Sequence, residues 1–311
     1  MPAITATYFN DPGCPWGYSF RPAHARLLWR FGDQIEWRLV LIGLTESGEE
    51  YERRGFTAAR MAALLPEFRR RFGMPFTFAV KERMAGTSRA CRAVVAVREQ
   101  DPSLADAALR ALQLLQFTTP RLLDDDEAIA DALARVPGID AQAIVARIDD
   151  PEVVAAYEAD RALARSAEGT PTHAQHRTAG SPGGIRYTAP SVIFERADGQ
   201  RFEVGGFQPF EAYDTALANL DPALERRPAP ADAAEALRAF PHGLTTAEVA
   251  TLLRPHDTDA DDRAAAEAQL TALVGEGTVV CEPAGGDALW RLARPDEQAA
   301  GRPRLVEREA A

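Results

Sequence analysis

The residue best placed to do chemistry is Cys14, within the stretch Thr7-Tyr8-Phe9-Asn10-Asp11-Pro12-Gly13-Cys14-Pro15-Trp16-Gly17-Tyr18. Residues 4–9 are β-branched and aromatic and suit a buried strand. Asp11-Pro12-Gly13 is turn chemistry. Pro15 is favoured just inside a helix, where its missing N–H would have no partner. Cys14 is therefore expected where free backbone N–H groups and the positive end of a helix converge, an arrangement that favours the nucleophilic thiolate. A helix end contributes roughly 0.3–1 kcal/mol, which at about 1.4 kcal/mol per pKa unit lowers a thiol pKa by around one unit.

The elements that must position this sulfur follow in order. Strand one is expected over residues 3–9, helix one over 15–31 and strand two over 35–42, a right-handed βαβ unit. His24, on helix one, reads as a surface histidine. Residues 44–168 read as mostly helical, with helices over 57–72, 87–100, 103–117, 125 onward, 140–148 and 151–165. Thr57 is a plausible cap. The acidic run 124–127 reads as a helix-capping turn and not as a metal site, since no ligand spacing follows it. Residues 166–188 are rich in Gly, Pro, Ser, Thr and His and read as a loop facing substrate. His173 and His176 within it lack an evident third metal ligand. A strand follows Ala189-Pro190. Asp198-Gly199 then signals a hairpin turn, with a strand over 201–205 and a closing helix over 209–220.

Cys14-Pro15-Trp16-Gly17 resembles the active-site motif of the DsbA-like branch of the thioredoxin superfamily, which in relatives of the FrnE type is commonly Cys-Pro-Trp-Cys. Here Gly17 stands where the second cysteine would be, so the resemblance implies monothiol chemistry. Cys14 attacks, and a low-molecular-weight thiol, mycothiol or glutathione, completes the cycle. Gly86-Thr87-Ser88-Arg89-Ala90-Cys91-Arg92 is similar to the Asn-Thr-x-x-Ala-x-Arg helix start of kappa-class glutathione transferases and hydroxychromene-carboxylate isomerases, with Gly86 replacing the asparagine. That likeness implies that Thr87 faces the active-site cleft. Cys91 reads as a packed core residue, with a distant resolving thiol as the alternative. Thioredoxin folds carry a cis-proline opposite the active cysteine, and Ala189-Pro190 before a β-rich run matches it. The backbone there would hold the thiol co-substrate, and Trp16 and Tyr18 would form an apolar wall beside the sulfur. The expected fold class is α/β: a thioredoxin fold with a large helical insertion at about 44–168, spanning residues 1–224.

Composition sets bounds on this reading. The chain has 311 residues, 46% of them hydrophobic, which suits two domains with a sizeable core. A net charge of −11 argues against non-specific binding to nucleic acid or anionic membranes. Three cysteines, Cys14, Cys91 and Cys281, form no disulfide framework and fit a reducing, cytoplasmic setting. No signal peptide or membrane helix is visible. Lys81 is the only lysine, while arginine and alanine abound, a coding bias that points to a high-GC bacterium.

Residues 225–230 read as a linker. Residues 231–296 then resemble a winged-helix module: a helix over 231–240, a helix-turn-helix opening near Thr246, a helix over 261–275 and a β-hairpin. From residue 231 onward there are 15 acidic and 8 basic residues, a net −7 and the wrong sign for a phosphate-binding face. A packing or dimerisation role is expected, with a homodimer as one outcome and no nucleic-acid or membrane partner. Residues 297–311 are expected to fray. The expected function is thiol–disulfide oxidoreduction through Cys14, acting on a small electrophile or disulfide without a metal. The alternatives are a kappa-type transferase or isomerase, in which Cys14 aligns the sulfur of a bound thiol, and a non-catalytic binding protein.

Overall fold

The strand β1 (Ile4–Asn10) lies at the centre of the chain's main sheet, and its run of apolar residues is buried on both faces towards its C-terminal end. The computed structural model describes residues 4–299. After β1 come α1 (Pro15–Ser19) and α2 (Arg21–Phe31), then β2 (Ile35–Leu41), parallel to β1. The helix expected over 15–31 is two helices broken at Phe20. Pro22 explains the break: it offers no N–H, and its ring would collide with the carbonyl of Tyr18 in a continuous helix.

The expected insertion follows. It comprises α3 (Gly48–Arg53), α4 (Ala58–Phe72), α5 (Ser88–Gln100), α6 (Ala105–Thr118), α7 (Asp126–Leu133), α8 (Ala141–Arg147) and α9 (Pro151–Ala164). Thr57, Asp125 and Asp140 cap α4, α7 and α8 by accepting backbone N–H groups of the first turn. The outer edge of β2 is covered by α9, where Asp160 accepts the N–H of Leu41 at 2.9 Å.

Residues 166–188 are not the expected loop. They hold α10 (Pro171–Ala174) and an antiparallel hairpin, β3 (Thr178–Ser181) with β4 (Gly184–Tyr187). The turn is Pro182-Gly183, with Gly183 at φ 91°, a backbone state that Pro-Gly pairs favour. The chain then forms β5 (Ser191–Arg196), β6 (Arg201–Val204) and α11 (Phe210–Leu220). The sheet order is β2-β1-β5-β6, with β5 antiparallel to both β1 and β6. This is a thioredoxin-like α/β fold.

The C-terminal unit comprises α12 (Ala233–Ala239), β7 (Leu244–Thr245), α13 (Thr246–Leu253), α14 (Arg263–Gly275), β8 (Val279–Ala284), β9 (Asp287–Leu292) and α15 (Pro295–Ala299), with sheet order β7-β9-β8. Thr245, one residue before the expected position, caps α13 in a reciprocal box with Glu248. Glu297, expected to fray, accepts from Arg291 and from the N–H of Arg294, and residues 300–311 lie outside the described residues.

The unit is built onto α2. Ala25 and Trp29 share a core with Leu237, Val249, Leu270 and Trp290. Arg26, almost fully buried, donates to the carbonyl of Arg254 just past α13 and to Asp257 at 2.7 Å. The segment 225–230 is pinned: Trp29 donates to the Pro228 carbonyl at 2.7 Å, and the Arg227 guanidinium lies 3.4 Å from the Trp29 ring centre. No described helix is long and apolar enough to cross a membrane.

The strongest polar link is the buried pair of Arg110 on α6 and Glu248 on α13, bonded through both carboxylate oxygens. Burial pushes the Glu248 carboxyl up, but Arg110 and the Thr245 hydrogen bonds outweigh this and hold it below its ordinary 4.5. A depressed carboxyl stabilises fully above its unfolded pKa, and that contribution is lost as pH falls through the lower folded value. Glu248→Gln should therefore cost about 3 kcal/mol in urea unfolding at pH 7, because Arg110 stays buried and unpaired, and should flatten the acid limb of the stability profile. A loss below about 1 kcal/mol would mean the pair behaves as a surface ion pair.

Candidate active site

The turn at the end of β1 builds the site. The Asp11 carboxylate accepts the Gly13 N–H at 2.8 Å, and the Asp11 carbonyl accepts the Cys14 N–H at 3.2 Å. These bonds hold Cys14 in extended backbone as the cap residue of α1, with Pro15 in the first helical position. The backbone N–H groups of Gly17 and Trp16 favour a charged sulfur, although neither hydrogen-bonds to it. Across the cleft the Cys14 thiol donates to the Ala189 carbonyl at 3.4 Å, next to the cis Ala189–Pro190 bond.

The expectation of an ionised sulfur is overturned. Cys14 is only 8% exposed and packs with Phe9, Val40, Ile42, Ala167, Tyr187 and Ala189. Burial pushes its thiol up to about 11; the Gly17 and Trp16 amides and Arg186 pull it down, while the Asp11 charge adds to the rise. The magnitudes explain the outcome. A helix end lowers a pKa by about one unit, and α1 has only five residues, whereas full desolvation raises one by as much as roughly 3–5 units. At neutral pH the thiol is therefore the favoured form of Cys14.

The other expected site residues divide into two groups. Trp16 is 38% exposed and stands edge-on to Phe68, Phe72 and Phe207 at 4.9–5.5 Å, making an aromatic rim beside the sulfur's helix. Tyr18 is no part of that wall. It is fully buried, stacks on Phe117 and donates to the Pro75 carbonyl at 3.0 Å, because it falls on the inward face of α1. Thr87 does not face the cleft either. It is buried behind the turn and donates to the Asp11 carboxylate at 3.1 Å. His24 is 2% exposed, wedged among Tyr8, Phe20 and Trp37, so the surface reading fails. Cys91 is fully buried, as expected of a core residue, and its thiol donates to Asp11 at 3.5 Å.

Asp11 and Arg186 are functional neighbours that the sequence reading missed. The Asp11 carboxylate is wholly buried and takes donors from Gly13, Leu44, Thr87 and Cys91; burial raises its pKa and those donors oppose the rise. Arg186 lies on β4 of the hairpin, in a stretch whose composition reads as a loop. The turn signal at 11–13 was legible, but the distant donors that make Asp11 a buried acid were not. Among the described residues no His, Cys, Asp or Glu cluster could hold a metal, and His173 Nδ1 accepts the Gly169 N–H.

Gly17 has a steric cause. A Cβ there would collide with the carboxamide oxygen of Asn10. Asn10 cannot yield easily: it is buried, accepts the Asp11 N–H at 2.8 Å, and bonds the Tyr8 hydroxyl. Gly17→Cys alone should therefore destabilise the fold by about 1–3 kcal/mol in urea unfolding and give no intramolecular disulfide. The double variant Gly17→Cys with Asn10→Ala should relieve the clash and form that disulfide, scored by mass spectrometry after oxidation, while staying less stable than the parent because the Asp11 N–H and the Tyr8 hydroxyl lose a buried partner. A stable, disulfide-forming single variant would contradict this account.

Comparison with known proteins agrees with the geometry. The DSBA-like thioredoxin domain matches residues 5–184, more than half of the chain. Among solved structures, a candidate protein disulfide isomerase from Nitrosomonas europaea aligns at 18% identity with a TM-score of 0.54, covering 70% of this chain and 96% of that one. A candidate DsbA oxidoreductase from Streptomyces coelicolor aligns at 20% identity with a TM-score of 0.50, covering 74% and 94%. The cytosolic disulfide reductase DsbM from Pseudomonas aeruginosa aligns at 19% identity with a TM-score of 0.49, covering 70% and 100%. At such identities the likeness is one of fold. Among curated proteins, none matches. By the domain match and its own architecture, the chain belongs to the DSBA-like thioredoxin domain family.

Proposed function

We propose that this protein is a single-thiol oxidoreductase that exchanges disulfides through Cys14 with a low-molecular-weight thiol, mycothiol or glutathione. The observation that carries this reading is the Cys14 sulfur at the start of α1 facing the Ala189 carbonyl beside cis-Pro190. In the first step the Cys14 thiolate attacks a small disulfide, forming a mixed disulfide and releasing one thiolate. A second small thiolate then attacks the mixed disulfide, releasing the exchanged disulfide and restoring Cys14. Burial disfavours the Cys14 thiolate at neutral pH, so substrate binding must open the sulfur's surroundings. The Gly17 and Trp16 amides and Arg186 are the groups that then favour the anion. Sparse free cysteines suit a cytoplasmic setting. We read the C-terminal unit as a winged-helix-like packing module and not a nucleic-acid binder, on its acidic balance and its shared core with α2.

A second reading is favoured by the burial itself. A protonated Cys14 is a hydrogen-bond donor, suited to aligning the thiolate of a bound small thiol as in a kappa-type transferase or isomerase. Two substitutions separate them. Cys14→Ser and Cys14→Ala should both lower disulfide exchange by at least about 100-fold, with loss of the Cys14 adduct by mass spectrometry. If Cys14→Ser keeps activity towards an electrophile that Cys14→Ala loses, the aligning reading holds. Full disulfide exchange in both variants would remove Cys14 from the chemistry.

A further inference from the structure

The chain is acidic overall, at −11, yet three arginines bordering the Cys14 site have no carboxylate partner among the described residues. Arg71, on α4, is exposed and makes no hydrogen bond or ion pair among those residues. Its guanidinium carbon lies 5.8 Å from the centre of the Trp16 ring and 5.1 Å from that of Phe72, so it caps the aromatic rim. Arg186 is half-buried on β4, between Ile185 and Tyr187, which both pack in the apolar cluster around the sulfur. Its one hydrogen bond goes to the Tyr187 carbonyl at 3.1 Å, which leaves the guanidinium with donors to spare. Arg165 bonds carbonyls only, among them Ile42 at 2.9 Å, Gly43 at 3.1 Å and Pro182 at 3.0 Å, and so ties the β3–β4 turn to the end of β2.

The acids of this region are already engaged. Arg161 holds Glu46 and Glu158, and Arg201 holds Glu203. Asp11 is wholly buried, and its carboxylate is taken by Gly13, Leu44, Thr87 and Cys91, so a molecule arriving from solvent meets the arginines and not this acid. The Arg165 and Arg186 charges repel one another, and the Arg186 charge is felt by both the Cys14 sulfur and the Tyr51 hydroxyl of α3. Like charges held together without counterions cost energy that an anion from solution recovers, and a guanidinium fork matches a carboxylate. We infer that the Cys14 site selects thiols and disulfides that carry carboxylates, with Arg186 and Arg71 as the residues that read the charge. This rests on Cys14 as the exchanging thiol, and it narrows the co-substrate, since glutathione carries carboxylates and mycothiol none.

The test labels the full-length protein with two methanethiosulfonates of matched size, one ending in a sulfonate and one in a trimethylammonium group. The Cys14 thiolate attacks the probe's divalent sulfur, a protein–probe disulfide forms, and methanesulfinate leaves with the electron pair. Each rate at Cys14 is followed by peptide-resolved mass spectrometry, and the anionic-to-cationic ratio is divided by that of a short cysteine peptide. The ratio cancels the thiolate fraction and so reports charge selection alone. It should exceed the peptide's by at least about tenfold and shrink in high salt. Arg186→Gln and Arg71→Gln should each lower it at least about threefold, whereas Arg186→Lys, which keeps the charge, should retain most of it. A ratio at or below the peptide's, or one unmoved by both glutamine variants, would overturn the assignment. Turnover of oxidised glutathione tests the exchange reading separately. Charge preference without turnover sinks that reading and keeps the anion selection, while no labelling of Cys14 by either probe removes both.

Discussion

A contest between burial and backbone dipoles at one sulfur governs this site. The turn at Asp11-Pro12-Gly13 brings Cys14 to the start of α1, where the amides of Trp16 and Gly17 favour its anion. The apolar lining from Ile42, Ala167, Tyr187 and Ala189 removes water and disfavours charge by more. The closed protein thus stores its thiol protonated, bonded to the Ala189 carbonyl. Reactivity is then a property of how the cleft opens and not of the helix end alone.

From Asn10 a polar chain runs out to the half-exposed Asp106. Asp106 pairs with Arg21, Arg21 donates to Gln113 at 2.6 Å, and Gln113 and the Asp11 N–H converge on the Asn10 carboxamide. Asn10 fills the space above Gly17 that a resolving side chain would need. The missing second cysteine is therefore matched by its surroundings: the same carboxamide that supports the turn excludes a side chain at position 17.

What the sequence revealed was local. The strand, turn and helix start around Cys14 are adjacent in the chain, and Ala189-Pro190 announces itself by residue type, so both halves of the cleft could be read directly. The C-terminal unit's elements were legible for the same reason. What failed depends on distant partners. The donors to Asp11 from Leu44 and Thr87 come from 33 and 76 residues away. His24 looks like a surface residue between Ala23 and Ala25 until Trp37 closes over it. The hairpin at 178–187 hides behind loop-like composition, because a short, half-exposed strand pair needs few β-formers. The linker at 225–230 is legible by composition, but its anchoring is not: Trp29 holds it by a hydrogen bond and a cation–π contact.

The central claim concerns the charge state of Cys14, and its titration tests that most directly. The rate of alkylation at Cys14, followed by peptide-resolved mass spectrometry across pH, should rise about tenfold per pH unit through the neutral range and bend only near the value of about 11. A midpoint at or below the roughly 8.5 of an unperturbed cysteine would contradict the account, because the helix end would then have prevailed over burial.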